Sequence, residues 1–434
     1  MKIFNACLKK IYKTTYVMGL LISPFVFAQS EVVEALNPNW LSNEVLQSNA
    51  GLTAQELRVK ARRELVESAS ALDDPRISYS VAPSSIGDQI PSNFGNALGV
   101  RQVIQLNQSF PWPGKLSLRT DLAATQVEIA QYSYEELQLS LVHQSRSLWA
   151  QLWYVEQALL TNSSHQQLLE ELEEVSATRY ANGLGLQQDL LQIQTDLVEA
   201  AYQESALNQQ RRRIYARINS LINRSPSSEL GVPVMELEEP DIPAFEVLEN
   251  WMYESQPQIL GLQAESNAAF NRTQLAEKDD FPDIQLNIGY NEIMNDSALR
   301  FQVGVSINIP FDFGKRSSRK AATRFEYNSS LADINLLKND LSAELEQELS
   351  RYEEFQDNIA LLETELIPIA EQTFTAASAN YEGGGGDFAA LTAAQQKLLD
   401  IRLRLVQMRA EKFMTVTEID RLSGGKLWPV EDVQ

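Results

Sequence analysis

Two stretches of this chain, residues 115–182 and 315–382, each run 68 residues without glycine or proline, apart from Pro368 in the second. Both predict long helices, and at about 1.5 Å per residue each would reach about 100 Å, several times the width of a compact domain. Helices of that length must project from the rest of the chain or line a tube. Apolar residues at Leu141, Leu148, Leu152, Val155 and Leu159, and at Tyr352, Phe355, Ile359, Leu362, Leu366 and Ile369, follow the spacing of coiled-coil seams. Pro368 removes a backbone donor and is expected to bend the second helix.

The two stretches belong to a duplication with an offset of about 200 residues. Phe110-Pro111-Trp112-Pro113-Gly114-Lys115 answers to Pro310-Phe311-Asp312-Phe313-Gly314-Lys315, and Arg119 to Arg319. Farther on, Tyr180, Gly183, Leu190 and Gln194 match Tyr381, Gly384, Leu391 and Gln395 at an offset of 201. Upstream, Pro75-Arg76-Ile77-Ser78-Tyr79 resembles Pro282-Asp283-Ile284-Gln285-Leu286. Each half ends its long helix at a glycine turn and continues into a return helix, so two helical hairpins are expected.

Ahead of each long helix the apolar period changes to two. Leu299, Phe301, Val303, Val305, Ile307 and Ile309 alternate with Arg300, Gln302, Gly304, Ser306 and Asn308; Ile284, Leu286, Ile288 and Tyr290 alternate with Gln285, Asn287 and Gly289. Ile77, Tyr79 and Val81, then Ile104 and Leu106, give the first half its own strand pair. Residues 83–99 and 291–298 read as exposed loops, rich in Ser, Asn, Gly and Asp. Aromatic residues and prolines crowd the ends of the strands, as they do where a barrel leaves a bilayer.

Four strands cannot close a barrel in lipid, where about eight are the minimum and open edges are not tolerated. Several chains must share one: two copies give eight strands and a filled interior, three give twelve and room for water. Small polar residues on the inward alternation, Ser78, Ser80, Asn287, Gly304, Ser306 and Asn308, favour the wet version. The competing reading places the strands in two small soluble sheets packed on the helices, in a periplasmic coiled-coil scaffold or adaptor.

Composition narrows the function. The net charge of -22 argues against nucleic acid or anionic lipid as a general partner. Residues 1–28 have the form of a secretory signal peptide, and removing its four lysines and no acids takes the charge from -22 to -26. The sole cysteine, Cys7, would leave with it, and because it precedes the apolar run no amino-terminal lipid anchor is expected. Phosphate loops, GxSxG elbows and His-rich metal motifs are all lacking, so no enzyme, cofactor or metal site is expected. His143 and His165 lie 22 residues apart, about 33 Å along one helix and too far for shared coordination. Trp149 and Trp153 read as helix-packing residues, and Arg211 to Arg213 as an exposed face or partners of nearby acids.

The plan of strand pair, long helix and hairpin, with FPWPGK at Phe110 to Lys115 and YxxGxGxQQDLL at Tyr180 to Leu191, resembles the TolC-type outer-membrane efflux channels from about residue 50 to 425. The segment QQDLL and the PWPGK corner look most like the heavy-metal branch. The resemblance implies a fold that is mainly α with a membrane β portion: two repeats, each a strand pair plus a long coiled-coil hairpin, in a homotrimer whose twelve-stranded barrel continues as a helical barrel. The expected layout is a signal peptide at 1–28, an extension at 29–50, a first repeat at 51–230, a second at 231–424 and a tail at 425–434. Strands are expected at about 76–82, 100–109, 283–290 and 299–309, long helices at 115–178 and 315–379, and return helices at 187–223 and 388–422.

The function so implied is that of a passive outer-membrane conduit, with a periplasmic membrane-fusion adaptor and an inner-membrane pump, of resistance-nodulation-division type, as partners. The cargo could be heavy-metal cations, with multidrug efflux or type I secretion as alternatives within the family. By the same resemblance, Tyr180, Gly183, Gly185 and Asp189 with Tyr381, Gly384 and Asp387 form the periplasmic gate and adaptor-docking tips. Pro111, Trp112, Gly114, Pro310, Phe313 and Gly314 form the corners between barrel and helices. Asp189 could equally be a helix cap or a first-turn acid, and the height of Asp387 is unsettled because four glycines, Gly383 to Gly386, precede it. Glu170, Glu171, Glu173 and Glu174 could extend an acidic funnel or face solvent.

Overall fold

A computed structural model describes residues 36–83, 100–234, 239–291 and 300–430. The expected signal peptide, both strand-connecting loops and the last four residues lie outside them. Four antiparallel strands form one sheet in the order β1-β2-β3-β4: Arg76–Pro83, Val100–Phe110, Ile284–Asn291 and Phe301–Ile307. The two strand pairs therefore share a single sheet through the β2–β3 pairing, with β1 and β4 as its open edges. The register places Ile77 opposite Leu106, Leu106 opposite Ile288 and Ile288 opposite Val303, so one apolar stripe crosses all four strands. Ser78, Gln105, Gly289 and Gln302 make the adjacent stripe on the other face. β4 stops at Ile307, short of the expected 309, because its partner β3 begins opposite it, at Ile284.

The first long helix, α3, runs Lys115–Ala181 and returns as α4, Gln187–Leu221. The second begins as α7, Lys315–Leu361, passes through a π-helical turn at Leu362–Leu366 and ends as α8, Ile367–Glu382, before returning as α9, Phe388–Leu422. The π turn explains the change of offset from 200 to 201: one extra residue in an α-helix is absorbed as a wide turn, here with the Ile367 N–H bonded to the Leu362 carbonyl. It also corrects the expected seam. Leu362 is buried, but Leu366 and Ile369 are exposed, and the stripe continues instead through Ile367, Ala370 and Phe374.

Four helices escaped the sequence reading: α1, Pro38–Ser48; α2, Ala50–Ser70; α5, Phe245–Ser255; and α6, Pro257–Lys278. α2 packs along α3, and α6 packs along both α3 and α7. Each begins where a return helix ends: Asn49 Nδ2 donates to the Leu221 carbonyl at 2.9 Å, and Gln256 Nε2 to the Arg421 carbonyl at 3.1 Å. These bonds reach carbonyls in the last turns of the return helices and fasten α2 to the end of α4 and α6 to the end of α9. The main core gathers around Trp149, Trp153, Ile218 and Phe413, where Trp149 Nε1 donates to the Leu36 carbonyl at 2.6 Å.

Candidate functional site

Three regions could carry function: the sheet faces, the corners and the hairpin tips. The apolar face presents Ile77, Tyr79, Ile104, Ile284, Tyr290, Phe301, Val303, Val305 and Ile307 to the outside of the protomer. Among the described residues no helix covers it, and none is long and apolar enough to cross a membrane.

At both corners the chain turns from strand to helix through a glycine at positive φ, Gly114 at 91° and Gly314 at 95°. A side chain there would be strained. Beyond the glycine the corners differ. Trp112 stacks on Phe281 at 5.2 Å, its backbone N–H donates to Asp283 Oδ1 at 2.9 Å, and Lys115, only 4% exposed, donates Nζ to the same oxygen at 2.9 Å. Pro111 is half-buried beside them. In the second corner Pro310 is half-buried, Asp312 Oδ1 accepts from the Gly314 and Arg316 N–H groups, and Phe313 is 93% exposed.

The tips bring Tyr180, Gly183, Gly185 and Asp189 to one hairpin end and Tyr381, Gly384 and Asp387 to the other. Gly183 and Gly384 take positive φ, 71° and 82°, and a side chain at Gly185 would press on the Tyr180 backbone nitrogen at 3.2 Å. Asp189 is a first-turn acid of α4, whose N-cap is Leu186; its carboxylate makes no hydrogen bond among the described residues. Asp387 is the N-cap of α9, accepting from the Ala389 N–H at 3.2 Å. Of the upstream acids, Glu173 accepts from Gln194 Nε2 at 2.9 Å, while Glu170, Glu171 and Glu174 are exposed.

Arg179 is the tip residue the sequence reading missed. Its Nη1 donates to the Tyr381 carbonyl at 2.7 Å and its Nη2 to the Leu184 carbonyl at 3.2 Å, with the guanidinium 4.7 Å from the centre of the Tyr381 ring. Tyr381 is 2% exposed, held between this guanidinium and an apolar cluster that includes Leu172, Ile193 and Phe388, whereas its repeat counterpart Tyr180 is 46% exposed. At the offset of 201, Asn380 stands where Arg179 does, so this clamp is built once per protomer. The available signal was a lone cation beside the Tyr-Gly signature in the last turn of a long helix. Arg179→Ala should release the second tip from the first and raise single-channel conductance in planar bilayers. Arg179→Lys should have the same direction, since an ammonium cannot reproduce the fork.

His143 Nδ1 lies 3.1 Å from Glu418 Oε2; burial pushes its imidazole down, while Glu418 pulls it back up. His165 is likewise pushed down by burial, beside Asp196. Among the described residues no group of three His, Cys, Asp or Glu is placed to hold a metal ion. Arg211 Nη1 lies 3.4 Å from Glu156 Oε1. Trp149 and Trp153 are core residues.

A two-faced sheet with open edges, joined to paired hairpins of this length, defines an outer-membrane channel with a periplasmic helical extension. The chain belongs to the outer membrane efflux protein family, matched over residues 41–224 and again over 252–425, once per repeat. It is 25% identical over 193 residues to the cobalt-zinc-cadmium resistance protein CzcC of Cupriavidus metallidurans, an alignment covering 43% of this chain and 44% of that protein. The chain thus matches less than half the length of this curated relative. Its fold is that of CusC, with a TM-score of 0.78 at 15% identity over 89% of this chain and 92% of that one. The outer membrane protein VceC of Vibrio cholerae gives a TM-score of 0.75 at 19% identity, over 89% of this chain and 96% of that one. Channels of this family trimerise.

Proposed function

We propose that three copies of this chain close a twelve-stranded barrel and act as the passive outer-membrane conduit of a tripartite export system. A periplasmic adaptor and an inner-membrane pump of resistance-nodulation-division type would deliver cargo to its helical end. The observation that carries this reading is the two-faced sheet: an uncovered apolar face for lipid, a polar face for water, and two free edges that only further strands can satisfy. Heavy-metal cations are the proposed cargo, supported by the partial similarity to CzcC and by the acidity of the chain. Selection would then fall to the pump or adaptor.

The residues proposed for the gate and adaptor contact are Tyr180, Gly183, Gly185, Asp189, Tyr381, Gly384 and Asp387. Asp189 is the better candidate for a lumenal acid ring, because Asp387 spends its carboxylate on the α9 cap. Symmetry would repeat Asp189 three times around a narrow opening and concentrate negative potential there. Asp189→Asn should therefore shift the reversal potential of single channels toward lower cation preference; an unchanged value returns Asp189 to a purely helical role. Cargo is tested by deleting the gene and measuring growth on cobalt, zinc, cadmium, copper and silver beside organic antibiotics. Sensitivity confined to the antibiotics would reject the metal assignment.

A further inference from the structure

The apolar alternation of β4 does not stop with the strand. Phe301, Val303, Val305 and Ile307 are followed at the same period by Ile309, Phe311 and Phe313, and all three are exposed. The Phe311 and Phe313 rings lie 6.3 Å apart, so the stripe ends in a pair of uncovered aromatic rings. At the first corner, by contrast, Trp112 is half-buried against Phe281.

Beyond Gly314 the chain turns basic. Residues 315–324 hold Lys315, Arg316, Arg319, Lys320 and Arg324 and no acid, in a chain of net charge -22. Residues 115–124, the same stretch of the first repeat, hold Lys115 and Arg119 with Asp121. Three of the five cations meet acids at the end of α6: Arg319 lies 3.3 Å from Asp279, Lys320 2.7 Å from Asp280 and Arg324 3.0 Å from Glu277. Lys115 takes Asp283, and Asp312 turns its Oδ1 to the Gly314 and Arg316 N–H groups. The acids of this corner are thus engaged, and cations are left over. Lys315 is exposed and makes no ion pair among the described residues, while the Arg316 side chain donates to two carbonyls, those of Phe311 and Asp279.

We propose that Phe311, Phe313, Lys315, Arg316 and Arg319 form a docking surface for the headgroups of anionic phospholipids in the periplasmic leaflet. The surface rests on the channel reading above, which sets the helical end of the sheet at the membrane boundary. Two features choose this occupant. The aromatic pair continues the stripe that faces lipid, and such rings sit at the depth where acyl chains give way to headgroups. The surplus cations follow within one helical turn, at the height of the phosphates. Arg319 keeps 63% of its side chain exposed, and a surface pair such as that with Asp279 is weak enough for the guanidinium to turn to a phosphate. The net charge of the chain is spread along its helices, and charges beyond about 8 Å are screened at physiological salt, so the local surplus decides. Each cation beside an anionic bilayer strengthens the attraction by about fivefold.

The test takes the whole protein, purified and reconstituted into liposomes of equal phosphatidylglycerol and phosphatidylcholine. Re-extraction in mild detergent then lets native mass spectrometry count the lipids that stay bound. With three cations contributing, phosphatidylglycerol should be retained roughly tenfold or more over phosphatidylcholine, and high salt should erase the difference. Lys315→Gln and Arg319→Gln should each cut that ratio by about fivefold. Arg213→Gln, which removes an exposed cation of α4, should leave it unchanged. Phe313→Ser should lower the retention of both lipids alike. An unchanged ratio in Lys315→Gln, or an equal fall in Arg213→Gln, would overturn the surface. So would inorganic phosphate that raises the melting temperature as much as short-chain phosphatidylglycerol does, since the site would then read a free anion. Lys315→Gln trimers that fall apart in phosphatidylcholine alone would make the corner a contact between copies instead. In all these cases the channel stands. Protein that enters no bilayer overturns the proposed function, and the surface with it.

Discussion

Arg146→Met is expected to destabilise the protein by about 3–5 kcal/mol, the cost of leaving one member of a buried ion pair without the other. Arg146 on α3 is fully buried, with Nη1 2.8 Å from Asp420 Oδ2 on α9. Its Nη2 donates to the Trp428 carbonyl at 2.9 Å, and its guanidinium lies 4.3 Å from the centre of the Trp428 ring. Asp420 uses its other oxygen to accept from the Trp428 N–H at 2.8 Å. One pair thus binds the first repeat to the second and fastens the segment beyond α9. Asp420→Leu alone should cost a similar amount and also strand the Trp428 N–H. The double variant Arg146→Met with Asp420→Leu should be milder than the two single losses combined, because no unpaired charge remains. Thermal unfolding of detergent-solubilised protein, followed by circular dichroism, measures all three. If the double variant falls as far as the sum, the pair is holding geometry that packing cannot replace.

The strands and the long helices were legible because their signals are local and sustained: period two over Phe301 to Ile309, and 68 residues free of glycine and proline in each half but for Pro368. The helices α1, α2, α5 and α6 lack such length, and the bonds that fasten α2 and α6 to the ends of the return helices, from Asn49 to the Leu221 carbonyl and from Gln256 to the Arg421 carbonyl, span more than 160 residues of sequence and leave no local pattern. The step from 200 to 201 in the repeat offset was visible in the sequence. Its consequence was not, since an extra residue can go into a loop as readily as into a π turn, and only the turn moves Leu366 and Ile369 off the seam. Tyr180 and Tyr381 illustrate the limit at the tips. They share a letter and a place in the pattern, yet Arg179 covers one and leaves the other open. A clamp that joins two repeats 202 residues apart leaves no periodicity to find.

The assignment of faces makes the other large prediction. Val305 pairs with Leu286 on the apolar side of the sheet and is 67% exposed in the protomer, while neighbouring Ser306 pairs with Gln285 on the polar side. Val305→Arg would set a guanidinium against lipid, at about 2–4 kcal/mol for a position near the bilayer midplane, and three times over in a trimer. The expected result is a sharp drop in trimer recovered from the outer membrane. Ser306→Arg adds the same side chain one residue away, where water receives it. Assembly should be nearly unaffected, but three guanidinium groups in the lumen should lower conductance and weaken cation preference. Both variants place the same charged side chain in the same strand one residue apart, so the direction of the side chain is the main difference between them, with a smaller loss of strand propensity on the Val305 side. Equal assembly defects would show that both faces of the sheet are packed against protein, and that lipid is not the solvent of the apolar one.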